Sequence, residues 1–368
     1  MNRHTNPPQS PWGGAQVSEP PEDIPRPTGI ATGEAAHPNL SRTSNLGRTG
    51  TTLRTNATGV LKKPLLRGMS AIEGFRIWLL DQIWFQSMLL PALPRQLRWI
   101  LRKVYLAPVD LADRLLGRDD PELPPKAERF TGGVRNFAAS GKFLLEALSS
   151  AAGLTSSSHV LDVGCGVGRL AVAMPSFLDA NGAYEGLDIV REGIEWCEQH
   201  IVSPHHNVHF TLADVYNKEY NPKGRVQPAD YQFPYEDQTF DVVVLVSVFT
   251  HMLPLDFDQY VGEIARVLKK NGRIFATYFV ITPESLQLMG SGRASVRFKH
   301  NLGSHWIQSR RVPELGVAYD ERYLRKVYAK HGLSDPPDIY LGQWCGRAGY
   351  WPPDSGLLDQ DTVVATKL

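Results

Sequence analysis

Three glycines stand at alternate positions, Gly164, Gly166 and Gly168, directly after the apolar run "HVLDV" that begins at His159. Glycine loses more freedom on folding than any other residue, so a strand that ends on three of them has a use for bare backbone. Without Cβ atoms the chain admits a ligand closely, and the N–H groups of the turn and the following helix can meet a negative group. Three acids lie at the ends of apolar runs in the same region. Asp162 precedes the first glycine by two residues, Asp188 sits in "EGLDIV" and Asp214 in "TLADVY". The first can face the ammonium of an amino acid, the second can accept both hydroxyls of a ribose, and the third can accept an exocyclic amine of a purine. A buried carboxylate needs partners of this kind, because an unpaired buried charge is costly. A dinucleotide has no amine for Asp162 and a pyrophosphate left to satisfy.

These residues need a frame that brings strand ends together. From about Pro124 onward, apolar strands alternate with helical stretches, which predicts a doubly wound α/β sheet covered on both faces. The strands are "HVLDVG", "AYEGLDI", "VHFTLAD", "FDVVVLVSV" and "RIFATYFVI"; "RLAVAMPSFL" and "REGIEWCEQHI" are the helices after the first two. Tyr260, Ile264, Val267 and Leu268 keep helical spacing ahead of the fifth strand, and Asn271-Gly272 is expected to stop that helix. "DERYLRKVYAKHG" is a further helix, and "DIYLGQW" with "DTVVATK" reads as an antiparallel hairpin at the sheet edge. In such a sheet, ligands sit beyond the carboxyl ends of the strands, where the order of connection reverses.

Two other zones precede this domain, assigned here to 124–368. Residues 1–60 are rich in Pro, Gly, Ser, Thr and Asn and poor in large apolar side chains, the composition of a disordered leader. Residues 64–123 form a helical extension. "AIEGFRIWLLDQIWFQSMLLPAL" is apolar but interrupted by Glu73, Arg76 and Asp81, which makes it a poor spanning helix. "PRQLRWILRKVYL" sets Arg95, Arg98 and Arg102 on one face and Leu97, Ile100, Leu101 and Val104 on the other. Three readings stand for residues 64–118: packing against the next domain, contact with a membrane surface, or binding of a partner.

The chain has 368 residues and a net charge of +1, which argues against bulk capture of nucleic acid; no DNA partner is expected. Its three cysteines, Cys165, Cys197 and Cys345, have no metal-ligand spacing. A reducing, cytoplasmic compartment and the absence of a metal site are expected.

The stretches "LDVGCGVGRL", "GLDIV", "LADVY", "FPYEDQTFDVVVLVSVFTHM" and "EIARVLKKNGRIFATYF" together resemble the class I S-adenosylmethionine-dependent methyltransferases. The resemblance covers residues 126–368. It implies a seven-stranded Rossmann-like sheet of order 3-2-1-4-5-7-6, the closing hairpin supplying strands six and seven. It implies S-adenosylmethionine as cofactor, held by Asp162 and the turn Gly164, Cys165, Gly166 and Gly168 at its methionine end. Asp188 takes the ribose, Asp214 with Val215 the adenine, Ile189 packs on the adenine face, and Ser247 after the fourth strand is also expected to bind the cofactor. "RFTGG", from Arg129, lies where the family often places a lid.

The sulfonium methyl is already activated, so catalysis is largely the in-line placement of a nucleophile, with a base where that nucleophile is a hydroxyl. His251 in "SVFTHM" is the candidate base or orienter, and capping or packing of the next helix is the alternative. The Asn/Asp-Pro-Pro-Tyr turn of base N-methylases is absent here, since the position reads Ser247-Val248-Phe249-Thr250. Two long loops, from Val215 and from Thr282, are candidate substrate covers. The second carries Arg293, Arg297, Lys299, His300, His305, Arg310 and Arg311, which fit either an anionic acceptor or a solvated loop. Trp344, Arg347 and Tyr350 can stack on a flat ring or pack the sheet edge. The expected activity is methylation, at oxygen, of a small-molecule, lipid or glycan acceptor. The rivals are RNA or protein methylation, a non-catalytic cofactor-binding scaffold, and a nicotinamide dehydrogenase.

Overall fold

The structure is a computed structural model. It describes residues 95–368 apart from 116, 118–119, 121, 130–136, 202–205, 219, 335–336, 353–354, 356 and 358, and only part of the side chains in 95–115. The expected leader (1–60), the first part of the helical extension (64–94) and all of the lid segment except Arg129 lie outside the described residues.

Helix α1 (Arg95–Leu115) forms where the amphipathic pattern places it. It is tied down by its acids: the Asp110 carboxylate accepts the backbone N–H groups of Lys126 and Ala127 at 2.8 and 3.0 Å, and Asp113 pairs with the Lys126 ammonium. Leu106 is buried, whereas Leu97, Ile100, Leu101, Val104, Leu111 and Leu115 are 41–71% exposed. Packing on the neighbouring domain therefore leaves the apolar stripe largely uncovered.

Helix α2 (Phe137–Ala152) leads into β1 (His159–Val163), a 3-10 turn (Ala171–Ala173) and the short α3 (Met174–Phe177). The sequence pattern predicts one helix over Arg169–Leu178. Pro175 instead breaks it, because proline donates no N–H and its ring clashes with the carbonyl four residues back. Then come β2 (Ala183–Asp188), α4 (Arg191–His200), β3 (Val208–Leu212), β4 (Phe240–Leu245), α5 (Pro254–Val267) and β5 (Leu268–Tyr278). Helix α5 ends at Val267, four residues before the expected stop. Asn271, with φ +64°, lies instead in an irregular first part of β5.

A second, smaller sheet was not expected. Strand β6 (Val280–Ile281) pairs parallel with β9 (Val317–Asp320), β9 antiparallel with β8 (His305–Ile307), and β8 antiparallel with β7 (His300–Asn301). Helix α6 (Pro283–Gly290) joins its first two strands in sequence, opened by a capping box in which Thr282 and Ser285 bond each other's backbone N–H. Helix α7 (Glu321–Lys330) follows, and β10 (Asp338–Tyr340) with β11 (Asp361–Thr366) closes the chain as an antiparallel pair.

The main sheet runs β10-β11-β5-β4-β1-β2-β3, which is the expected order 3-2-1-4-5-7-6 read from the other edge. Strands β1 to β5 are parallel, and β11 is antiparallel to β5. One apolar cluster packs α5 and α7 on one face, through Phe257, Ile264, Leu324 and Tyr328. Another packs α2 and α4 on the other, through Leu144, Leu148, Trp196 and Cys197. Because β1 lies between β2 and β4, the connection order reverses there. The carboxyl ends of β1 and β4 thus flank the crevice where an open α/β sheet binds ligands.

Candidate active site

The glycine turn explains its own composition. Gly164, Gly166 and Gly168 all have positive φ, at +81°, +63° and +78°, a region that costs residues with a Cβ. Space is short as well: a Cβ at Gly164 would lie 2.4 Å from Val248 Cγ2, and one at Gly168 would lie 2.7 Å from Ile201 Cδ1. The turn is bonded across the sheet, with the Gly164 N–H donating to the Leu187 carbonyl at 2.6 Å. The Gly166 N–H donates to Asp188 Oδ2 at 2.7 Å.

This turn borders a cavity of about 560 Å³, within the range of small-molecule sites. Asp162, Gly164, Cys165, Asp188, Ile189, Val215, Ser247 and His251 all line it. Gly166 and Gly168 shape the turn without lining the cavity. Asp214 is also outside the lining, which takes Ala213 and Val215 on either side of it. Its carboxylate is paired with the Arg225 guanidinium, and that bond with the Arg225 backbone N–H holds it below the usual carboxylate range.

Asp162 is 5% exposed. Burial pushes its pKa up from 3.8 to about 6, with the nearby Asp188 charge adding to the rise. Two groups pull the other way: the Tyr184 hydroxyl, donating to Oδ2 at 2.8 Å, and the Arg169 guanidinium. One carboxylate oxygen is thus engaged and the other has capacity for a cation. Asp188 accepts the N–H of Val190 on Oδ1 at 2.7 Å as well as that of Gly166 on Oδ2. A carboxylate offers about four lone-pair sites, so these two bonds do not by themselves saturate it.

His251 ends the 3-10 turn Phe249–His251 after β4. Its Nδ1 lies 2.8 Å from the main-chain carbonyl of Glu314, which can only accept, so Nδ1 carries the proton. Burial lowers the imidazole pKa, opposed by that same bond, and the neutral ring keeps its lone pair on Nε2. Ser247 sits at φ +62° with its N–H on Thr277 Oγ1 at 2.7 Å and its hydroxyl on Gln360 at 3.1 Å. A strained non-glycine residue on the lip of a cavity is typical of functional sites.

Residues 161–276 match the family model described as "Methyltransferase domain". The chain carries a class I methyltransferase domain. The cofactor of that family is S-adenosylmethionine, and the donors and acceptors above fit it, with the exception of Asp214 as placed here. "Methyltransferase GfsG" of Streptomyces halstedii is 29% identical over 146 residues, 39% of this chain and 46% of that protein. A "Demethylmenaquinone methyltransferase" of Lactiplantibacillus plantarum is 31% identical over 33% of this chain and 45% of its own length. "Sterol 24-C-methyltransferase erg6" of Schizosaccharomyces pombe is 32% identical over 34% and 29%. The chain thus spans about half the length of the first two and less of the third.

The methyltransferase domain brings in residues that the sequence pattern did not single out. Arg169 and Tyr184 frame Asp162. Tyr260 and Asp256 reach the cavity from α5, and Glu314 reaches it from the 3-10 turn Pro313–Leu315 between β8 and β9. Arg169 directly follows the last glycine, and Tyr184 stands two residues before Gly186, so both had a local signal. Glu314 had none: it lies 63 residues from the histidine it touches.

Both long loops of the domain contribute to the lining, the first through residues such as Asn217 and Tyr220 and the second through Glu314. The basic side chains of the second loop do not line the cavity. Trp344 and Arg347 are structural: Trp344 is fully buried, and both donate to the buried Asp361 carboxylate. Among the described residues no group of His, Cys, Asp and Glu could hold a metal ion.

Proposed function

We propose that this protein transfers a methyl group from S-adenosylmethionine to a hydroxyl of a small, largely uncharged acceptor. The observation that carries this reading is the convergence of the glycine turn, Asp162, Asp188 and His251 on one cavity. The cofactor supplies a methyl group activated by its positive sulfur. Asp162 holds the ammonium at the methionine end and Arg169 meets the carboxylate. Asp188 takes the ribose hydroxyls, with Ile189 and Val215 as the apolar wall for the base. The Asp214–Arg225 pair opens if Asp214 is to accept the adenine amine.

His251 completes the site by holding a vacant acceptor at Nε2, fixed in that tautomer by the Glu314 carbonyl, to take the hydroxyl proton. The names of the similar proteins point to quinone and sterol acceptors, which supports a small, weakly charged molecule here. Partner contact through α1 also belongs to this reading. The exposed apolar stripe, on a helix whose sequence carries several arginines, suits an anionic membrane surface, from which an apolar acceptor would be drawn.

The test is calorimetric titration of the full chain with S-adenosylhomocysteine and with NAD, followed by transfer of an isotopically labelled methyl group into a cell extract read by mass spectrometry. Heat with the first ligand and none with the second is expected, with a labelled acceptor. His251→Ala should lower turnover by roughly 10²- to 10⁴-fold, the range for losing a positioned base, with cofactor affinity nearly unchanged. Loss of affinity without a selective loss of turnover would return His251 to a packing role.

A further inference from the structure

The loop that follows β3 is built around Asp214. The chain leaves the strand, turns at Asn217 to Asn221 and returns beside itself. The Tyr216 N–H donates to the Val226 carbonyl at 2.7 Å, and the Val226 N–H donates to the Asp214 carbonyl at 3.1 Å. Gly224 makes this crossing possible, since a Cβ there would lie 2.3 Å from the Val215 carbonyl. At the tip, Asn217 and Asn221 exchange main-chain bonds at 3.0 and 2.9 Å, and the Asn221 amide donates to the Val215 carbonyl at 3.0 Å. Asp214 closes the base of the loop: Oδ1 accepts the Arg225 N–H at 3.2 Å, and Oδ2 meets the Arg225 guanidinium.

The same loop is a wall of the cavity. Asn217, Lys218 and Tyr220 line it, and the Tyr220 ring stands edge-on to His251 with centroids 6.1 Å apart. The Tyr220 N–H is tied to Asn217 Oδ1 at 2.9 Å. A continuous set of bonds thus leads from the Asp214–Arg225 pair to the ring beside His251. The Asp214 carboxylate itself lies outside the cavity lining, with both oxygens engaged. An adenine amine would have to displace a guanidinium, exchanging a bond between two charged groups for one with a neutral donor.

We infer that Asp214 is a positioning residue rather than an adenine ligand: clasped by Arg225, it holds the loop 215–227 so that Tyr220 stands against His251 and walls the methyl-acceptor end of the cavity. The inference rests on the methyltransferase reading of that cavity. The acid at the end of β3 then serves the second substrate and not the first.

The two roles have opposite consequences for a pair of variants. Were Asp214 to take the adenine amine, Arg225→Gln would release it and tighten S-adenosylhomocysteine binding. Asp214→Ala would then weaken that binding at least about tenfold, the scale of a hydrogen bond to a charged group. As an anchor of the loop, the pair makes both variants act alike. Calorimetric titration of the full chain should give both variants an S-adenosylhomocysteine affinity within about twofold of wild type, which also shows that they fold. With each protein saturated in that ligand, trypsin should cut after the exposed Lys218 and Lys223 severalfold faster in both variants than in wild type, the scale of an exposed ion pair together with one main-chain bond. Mass spectrometry of the released peptides reads this, and Arg225→Lys, which keeps the charge, should restore most of the protection. Transfer of labelled methyl into a cell extract should slow in both variants, with the KM for S-adenosylmethionine unchanged.

Opposite shifts in S-adenosylhomocysteine affinity overturn the inference and return Asp214 to the adenine. Cleavage at the wild-type rate in both variants overturns it too. Failure of wild type to bind S-adenosylhomocysteine at all sinks the methyltransferase reading instead, and is seen before any variant is compared.

Discussion

Asp162 is held in its buried place at a cost. A native pKa of about 6 against 3.8 for the free group means that the folded chain binds more protons than the unfolded chain between those values. Stability of the ligand-free protein therefore falls as pH rises from about 4 to 6 and stays reduced above that. Asp162→Asn removes the charge and keeps an acceptor for Tyr184. It should stabilise the ligand-free protein at pH 7 by up to about 3 kcal/mol, at 1.36 kcal/mol per unit of pKa, and leave it unchanged near pH 3. Thermal melts at the two pH values check this, and the same variant should bind S-adenosylhomocysteine more weakly. In wild type that affinity should fall as pH drops through about 6, because a protonated Asp162 no longer attracts an ammonium. His251 has the opposite displacement. Its pKa lies below 6.5, so kcat should hold to lower pH than an ordinary histidine would allow, then fall as the ring protonates. Burial keeping this ring neutral also contributes stability that is lost as pH falls below about 6.5, where the unfolded chain takes up the proton first.

At the scale of elements, the turn after β1 is held by conformation and by space at once. Gly164→Ala meets both obstacles, a φ of +81° and a Cβ 2.4 Å from Val248 Cγ2. We expect it to lower the melting temperature clearly and to reduce cofactor binding at least tenfold. Adding Val248→Ala should recover part of the stability by relieving the contact, but not all, since the left-handed backbone remains strained. Full recovery in the double variant would mean that space alone dictates glycine there. The closing hairpin shows another element-level device. The buried Asp361 accepts from the N–H groups of Val280 and Gly342 at 2.8 Å each and from Trp344 Nε1 at 2.7 Å, and it pairs with Arg347. One carboxylate thus pins the second sheet to the edge of the first, and this is where the aromatic and basic residues of "GQWCGRAGYW" are spent.

On the scale of the whole molecule, the exposed stripe of α1 is the feature that the domain itself does not use. The sequence of this 21-residue helix sets leucines on one face and basic residues on the other, a pattern suited to an interface that combines apolar burial with charge attraction. The full chain should co-sediment with phosphatidylglycerol vesicles more than with phosphatidylcholine vesicles, and less as salt rises. Leu101→Asp with Val104→Asp should abolish this without changing S-adenosylhomocysteine binding. Sedimentation that ignores lipid charge and both substitutions would remove the membrane from the account. Among the described residues no helix is long and apolar enough to cross a bilayer.

The alternation of elements and the glycine turn with its neighbouring acids were legible in the sequence, because each is written locally: a glycine turn after an apolar run, an acid at a strand end, a period of 3.6 or 2. The strand order came from the resemblance to a family and not from any local pattern. Local reading faltered where a single residue outweighed the pattern, as Pro175 did in splitting a helix. The surroundings of His251 depend on tertiary contacts. Glu314 meets His251 because a small second sheet folds a distant turn back over the end of β4, and no periodicity encodes a contact across 63 residues. It also decided that Asp214 pairs with Arg225 and that the basic loop stays out of the cavity. Charge in a sequence is only a count until packing fixes which groups lose their water together.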